Sequence, residues 1–162
     1  VESLSRKQSI EAIVYPAKDF NVEYTDKALS KILNITKGCP YFIQQFCWTI
    51  YNNTNGSVIQ EDDVKKSIKD FFDALDKDFF GEKYECCSEK GKDFMSAMIR
   101  CGKSPRTTSN IAKHMNSTIK GTLPIRAQLI NKGLICVAGR NELDFAIPEF
   151  DGFVKRKTAF IE

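Results

Sequence analysis

Residues 108–147, TSNIAKHMNSTIKGTLPIRAQLINKGLICVAGRNELDFAI, combine two short helical patterns with two apolar strand patterns. Thr108 and Thr122 are predicted to cap the two helices, because a threonine hydroxyl accepts a hydrogen bond from the free amides of a first helical turn. The predicted strands and their turn cover 134–138, 142–147 and the residues Gly139, Arg140 and Asn141. This order indicates a helix-turn-helix that ends in a β-hairpin.

The flanking residues extend this pattern. A helix is predicted over 88–101, with Phe94 and Met98 on its buried face. A last short helix over 149–157 returns Phe153 to the core. Three helices followed by a hairpin are typical of a winged helix-turn-helix.

The first half of the sequence is predicted to be a small helical bundle, because apolar residues recur at helical spacing in four segments. Pro16 is expected to end the first helix, and Thr25 and Gly38 are expected to cap and end the second. Pro40 is expected to begin the third helix, and the fourth is expected to be one long helix over 61–80. We therefore expect a mainly α chain with a helical subdomain over 1–84 and a winged-helix domain over 85–162.

Charge is divided unequally between the two halves. Residues 1–87 hold 11 Lys and Arg against 14 Asp and Glu, whereas residues 88–162 hold 13 against 7, which together give the net charge of +3. A basic module is suited to a phosphate backbone or to an acidic protein surface.

Several classes of function lack support in the sequence. The apolar runs are much shorter than the roughly 20 residues of a membrane span, and no secretory signal is expected. Six scattered cysteines and a single histidine, His114, indicate reduced thiols in a cytoplasmic protein and no zinc site. No nucleophile can be matched with a base, so the chain is expected to have no active site of its own.

One short segment resembles part of a nucleotide-binding site. Gly102, Lys103 and Ser104 look like the end of a phosphate-binding loop, but Ala97 stands where that loop needs its first glycine. The segment also follows a predicted helix, whereas a phosphate-binding loop follows a strand. We therefore interpret Gly102 as the end of a helix and Lys103 as a solvated side chain.

Motifs in both halves occur together in one known family. These motifs are EAI at 11–13, PA at 16–17, TKGCPYFIQ at 36–44, LINKGLI at 129–135 and FAIP at 145–148. Together they resemble the lid and winged-helix region of AAA+/STAND-type P-loop ATPases, including archaeal and bacterial ATPases related to origin-recognition proteins. The resemblance covers almost the whole chain, but neither Walker motif of the ATPase core is present.

The resemblance implies a lid that closes over ATP or ADP, with Mg²⁺, held by an upstream P-loop core of the same polypeptide. The residues implied to lie against the base are Gly38, Pro40 and Tyr41. A proline at a helix N-terminus offers a rigid apolar surface and no competing donor. Tyr41 and Phe42 occupy the place where many lids carry an arginine, so no catalytic residue is expected here. A plain boundary between two helices is the alternative interpretation.

The winged helix has its own implied site. The candidates for DNA contact are Ser117, Thr118, Lys120, Thr122, Arg126 and Gln128 on the recognition side, and Arg140 and Asn141 on the wing. Lys103, Arg106 and Lys113 are candidates for phosphate contacts. Three functions remain open: an ATP-driven switch with the winged helix as regulatory or interaction module, a duplex DNA-binding module, and a scaffold for protein partners or a homo-oligomer.

Overall fold

The structure, a computed structural model, describes residues 3–103 and 106–159. The predicted class is confirmed: the chain is mainly α-helical, with a small antiparallel sheet of three strands toward its C-terminal end. It divides into two compact units, Val1–Leu75 (unit 1) and Asp76–Glu162 (unit 2). This division lies upstream of the 84/85 boundary expected from the sequence.

Unit 1 is a bundle of helices with one small pair of strands. Its elements are α1 (Arg6–Asp19), β1 (Glu23–Tyr24), α2 (Asp26–Thr36), α3 (Pro40–Asn53), β2 (Val58–Ile59) and α4 (Glu61–Ala74). The parallel pairing of β1 with β2 was not predicted, because two-residue strands leave no periodicity to detect. The core is aromatic: the ring of Phe46 stacks on Phe71 at 4.4 Å, and Phe42 meets Phe71 edge-on at 6.0 Å.

The prediction that Pro16 ends the first helix is wrong, since α1 continues through it to Asp19. The chain leaves the helix at Asn21, two residues after Asp19, where it takes a left-handed conformation with φ of 52°. The amide of Asn21 donates to the oxygen of Lys18, and the amide of Val22 donates to that of Ala17. These two bonds satisfy the last carbonyls in the manner of a Schellman motif and outweigh the hydrogen bond that proline removes.

The predicted boundary between α2 and α3 is confirmed. Thr25 caps α2, the chain turns left-handed at Lys37 and Gly38, and Pro40 begins α3. Gly38 has φ of 74°, and a Cβ there would lie 2.4 Å from the oxygen of Leu4. The amide of Leu4 donates to the Gly38 oxygen at 2.8 Å, so this corner requires a residue without a side chain.

The single long helix predicted over 61–80 is interrupted. Regular α-helix ends at Ala74, and Leu75–Phe80 forms a π-helix. A Cβ on Gly81 would lie 2.8 Å from the oxygen of Asp76, so glycine permits the wider turn. A π-turn adds one residue per turn and leaves the apolar spacing nearly helical, which explains why the sequence pattern did not reveal it.

Unit 2 contains the helix-turn-helix and its wing. Its elements after the π-helix are α5 (Gly81–Glu85), α6 (Glu89–Arg100), β3 (Arg106–Thr107), α7 (Thr108–His114), α8 (Ile119–Asn131), β4 (Ile135–Gly139), β5 (Glu142–Phe145) and α9 (Phe150–Ala159). The predicted hairpin of β4 and β5 is confirmed, and β3 pairs with the outer side of β5. The predicted helix end is also confirmed at Gly102, with φ of 84°, whereas Ser104 lies outside the described residues.

The predicted caps of the two short helices are wrong. Thr107 caps α7 and Thr118 caps α8, each accepting a hydrogen bond from a first-turn amide. Thr108 is therefore the first helical residue, and Thr122 lies inside α8. Gly121 lies within the first turn of α8, and its low helix propensity favoured a later start in the sequence.

The core of unit 2 is also aromatic. Phe80, Phe150 and Phe153 pack with ring centroids between 5.5 and 5.7 Å apart. Arg156 on α9 donates two-pronged hydrogen bonds to the carboxylate of Asp76, at 2.6 to 3.0 Å. These contacts hold α9 against the start of unit 2.

Candidate functional site

The first candidate site is the corner of unit 1 at Pro40. Pro40 lines a cavity of about 620 Å³ between α1 and α3. Ile13, Pro16 and Ile43 form part of its wall. Tyr41, next to Pro40, is 41% exposed. This volume is in the range of small-molecule sites, which are usually mostly apolar.

The mouth of this cavity carries exposed aromatic side chains. Phe20 is 66% exposed and Trp48 is 65% exposed. The Phe20 and Tyr51 rings lie 6.0 Å apart. Tyr51 is 48% exposed. The sequence did not reveal this cluster, because α1 was expected to end at Pro16, before Phe20.

The chemistry of the cavity wall decides what it can bind. Among the described residues that line it, none is Asp, Glu, Lys or Arg. Burial raises the pKa of the Cys47 thiol to about 11, and burial beside Cys47 also raises the pKa of Tyr24. Such a wall suits an uncharged flat ring. It offers nothing for the phosphates or Mg²⁺ of a nucleotide, which would need groups from elsewhere.

The second candidate site is the exposed face of the winged helix in unit 2. The predicted contact residues that lie exposed there are Ser117, Thr118, Lys120, Gln128, Arg140 and Asn141. Lys103 and Lys113 are exposed as well. The wing turn is held in place because the backbone oxygen of Asn141 accepts a hydrogen bond from the Thr108 amide at 2.9 Å.

Two predicted contact residues of this unit lie in the core. Thr122 is 0% exposed, and its hydroxyl donates to the oxygen of Ile119 at 2.7 Å. Arg106, expected to contact phosphate, is 6% exposed and donates to the carboxylate of Asp144 at 2.6 Å. Both expectations of an exposed side chain are corrected, since these groups hold the fold together.

Arg126 has a mixed environment. Its side chain is half-buried on α8, and its Nε is buried without a hydrogen-bond partner among the described residues. A buried guanidinium nitrogen normally has a partner, because leaving one unpaired costs free energy. Its predicted role in DNA contact stays a prediction.

The charges on this face come from a stretch of sequence that is more uniform than the basic half as a whole. Residues 94–141 contain no Asp or Glu. Their basic side chains are Arg100, Lys103, Arg106, Lys113, Lys120, Arg126, Lys132 and Arg140. Of these, Arg106 is paired with Asp144, and Lys132 donates to the backbone oxygen of Cys86. The helix-turn-helix and the wing turn are thus free of acidic side chains.

Within residues 3–103 and 106–159, no group of three or more His, Cys, Asp or Glu is arranged to hold a metal ion. None of the helices in this part of the chain combines the length and the apolar character needed to cross a bilayer.

Comparison with known proteins gives one family and a set of solved structures. A family described only as a Domain of unknown function (DUF8462) matches residues 77–154, which is nearly all of unit 2. No curated protein matches the chain.

Solved structures of the Thermotoga maritima RuvB Holliday junction branch migration motor and of two of its mutants are similar over 96% of this chain. The identity is 18% and the TM-score 0.46 in each case. This chain spans 50% of the length of each of those structures.

Proposed function

We propose that this chain is the lid and winged-helix region of an AAA+/STAND-type P-loop ATPase, and that its own direct activity is duplex DNA binding by unit 2. The DNA part rests on one observation: residues 94–141, which form the helix-turn-helix and the wing turn, carry basic side chains and no acidic one. Phosphate neutralisation by Lys and Arg supplies most of the affinity of non-specific DNA binding.

In this proposal, two parts of unit 2 make different contacts with the DNA. Lys120 lies exposed on the first turn of α8, the helix that enters the major groove in a winged helix-turn-helix. Arg140 lies exposed in the wing turn between β4 and β5. Ser117 and Gln128 are exposed and add hydrogen-bonding groups. Among the described residues, neither cation has an ion-pair partner from which it would have to part to reach a phosphate.

DNA binding is tested with the full chain and a fluorescent duplex at low salt. We expect binding that weakens when Lys120 and Arg140 are both changed to alanine. The matched control is Lys31→Ala with Lys69→Ala, which removes the same charge from unit 1. Equal losses in the two double variants would mean that net charge alone governs the association. No binding by the unaltered chain at about 50 mM salt would contradict the proposal.

The nucleotide part of the proposal rests on the Pro40 corner. The cavity beside Pro40 is apolar and free of charged residues among those described, as the site of a nucleobase would be. The P-loop core of the same polypeptide would then supply the contacts to the phosphates of ATP or ADP and to Mg²⁺. Closure of the lid over the base would couple nucleotide state to unit 2.

This part is tested in the longer polypeptide that carries the chain. Pro40→Ala is expected to weaken ADP affinity about fivefold, as for the loss of roughly one kcal/mol of apolar contact. Pro124→Ala, on α8, is the control and leaves ADP affinity unchanged. Unaltered ADP affinity in the Pro40 variant, or an upstream sequence without a Gly-x-x-x-x-Gly-Lys-Ser/Thr loop, contradicts the lid assignment.

A further inference from the structure

Two aliphatic side chains are exposed next to each other at the start of α8. Ile119 is 50% exposed and Leu123 is 44% exposed. Residues four apart on a helix are neighbours on one face, so the two form a single apolar patch. The patch occupies the first two turns, which are the turns that approach base edges when a recognition helix lies in the major groove.

The polar side chains beside this patch are used within unit 2. The hydroxyl oxygen of Thr118 accepts the Gly121 amide at 3.1 Å as the helix cap. The hydroxyl of Thr122 is buried and bonded to the oxygen of Ile119. What the start of α8 offers to a ligand is therefore mainly methyl groups, with the exposed side chain of Lys120 on the same first turn.

The surroundings of the patch indicate the chemistry of its partner. The patch lies within the stretch 94–141, which lacks acidic residues, so charge complementarity favours a polyanion with an apolar feature. In the major groove of duplex DNA, the C5-methyl group of thymine is the apolar feature, and it distinguishes A·T from the other pairs. A patch of aliphatic methyl groups fits that group and cannot donate to the base acceptors.

We propose that Ile119 and Leu123 read thymine through apolar contact with its C5-methyl group in the major groove. This inference rests on the DNA binding proposed for unit 2 and adds the base class that it prefers. Lys120 binds a neighbouring phosphate in this arrangement, which positions the helix but carries no sequence information. A hydrophobic contact with a protein is the competing explanation of the patch.

The test uses duplexes that differ in the C5-methyl group alone. Four duplexes of about 20 base pairs are compared by fluorescence anisotropy: alternating A-T, alternating A-U, alternating G-C, and alternating G-C with 5-methylcytosine. Loss of the methyl from A-T to A-U is expected to weaken binding about fourfold for each contacted methyl group. Methylation of cytosine is expected to strengthen binding to the G-C duplex, which separates the methyl group from other properties of A·T pairs.

The variant arm assigns the effect to the patch. Ile119→Ala with Leu123→Ala is expected to bind the A-T and A-U duplexes equally, at the affinity that the unaltered chain shows for A-U. Val58→Ala truncates an aliphatic side chain that is also 44% exposed, but in unit 1, and is expected to keep the preference. If thermal melting shows the double variant to be unfolded, Leu123→Gln replaces it, because glutamine keeps the side-chain length. This variant is expected to reduce the preference for the A-T duplex over the A-U duplex.

The remaining outcomes overturn the inference in distinguishable ways. Equal binding of all four duplexes by the unaltered chain contradicts thymine reading and leaves DNA binding standing. A methyl preference that persists in both patch variants assigns it to other residues and also contradicts the inference. Failure to bind any duplex at about 50 mM salt removes DNA binding itself, and the patch is then a protein contact.

Discussion

The guanidinium of Arg106 donates to the carboxylate of Asp144 at 2.6 Å and thereby joins β3 to β5. The same side chain donates through Nε to the backbone oxygen of Met98 at 2.8 Å, and it lies over the Phe145 ring at 5.2 Å. Arg106 is only 6% exposed, so α6, β3 and the wing all depend on one buried cation.

We expect Arg106→Ala to destabilise the chain by about 2–3 kcal/mol, because it removes the cation that is bound to the Asp144 carboxylate and to the Met98 oxygen. This destabilisation is smaller than that expected for a fully buried ion pair, because the Asp144 side chain is 37% exposed. Urea unfolding monitored by circular dichroism measures the change. Arg140→Ala, which removes an exposed cation of the wing, is expected to stay within about 0.5 kcal/mol of the unaltered chain.

A second prediction concerns the corner that presents Pro40. Gly38→Ala is expected to destabilise unit 1 by more than about 1 kcal/mol, because φ of 74° disfavours alanine and the new Cβ would lie 2.4 Å from the Leu4 oxygen. Gly56→Ala is the matched control, since its new Cβ would meet nothing nearer than the Val58 nitrogen at 4.0 Å. Equal midpoints of thermal unfolding in the two variants would contradict this account of the corner.

A third prediction follows from the raised pKa of Cys47, which burial brings to about 11. Only the thiolate reacts with alkylating agents, so Cys47 stays protected at pH 8 and its thiolate fraction rises about tenfold per pH unit up to that pKa. Cys136, an exposed free cysteine, is the internal comparison. Mass spectrometry after brief iodoacetamide treatment at pH 8 should find Cys136 modified and Cys47 intact. Comparable modification of both would show that the cavity wall is open to solvent.

The raised pKa of Cys47 also makes the stability of the chain depend on pH. The folded chain holds the Cys47 proton up to a pH near 11, whereas a thiol in the unfolded chain loses it from about pH 8.5. The unfolded state therefore gains stability as pH rises through this window, and the contribution of Cys47 to folding falls. We expect Cys47→Ala to show a smaller loss of stability between pH 8 and pH 10.5 than the unaltered chain, as measured by urea unfolding at each pH.

The sequence predicted those features that depend on local chemistry. The Gly38 and Pro40 corner and the Thr25 cap follow from backbone geometry, and the hairpin after α8 follows from two apolar strand patterns on either side of a turn. The prediction failed where a second local signal overrides the first. Pro16 is tolerated inside α1 because the helix gains a Schellman end at Asn21, five residues later.

The site was predictable to a similar extent. Lys120 and Arg140 are exposed, as expected for charged side chains. Arg106 carries the same charge but is buried. Its partner Asp144 is distant in sequence, so no local pattern could reveal the pair. The exposure of Ile119 was hidden for another reason, because Thr122 was predicted to cap α8, which left Ile119 outside the predicted helix.

The salt dependence of duplex binding by the full chain tests the central claim most directly. The logarithm of the association constant is expected to fall linearly with the logarithm of salt concentration, with a slope of about −0.9 for each phosphate neutralised. Lys120→Ala and Arg140→Ala are each predicted to reduce that slope by about one, while Lys69→Ala in unit 1 leaves it unchanged. A slope near zero, or one that responds equally to all three variants, would contradict DNA binding by the winged helix.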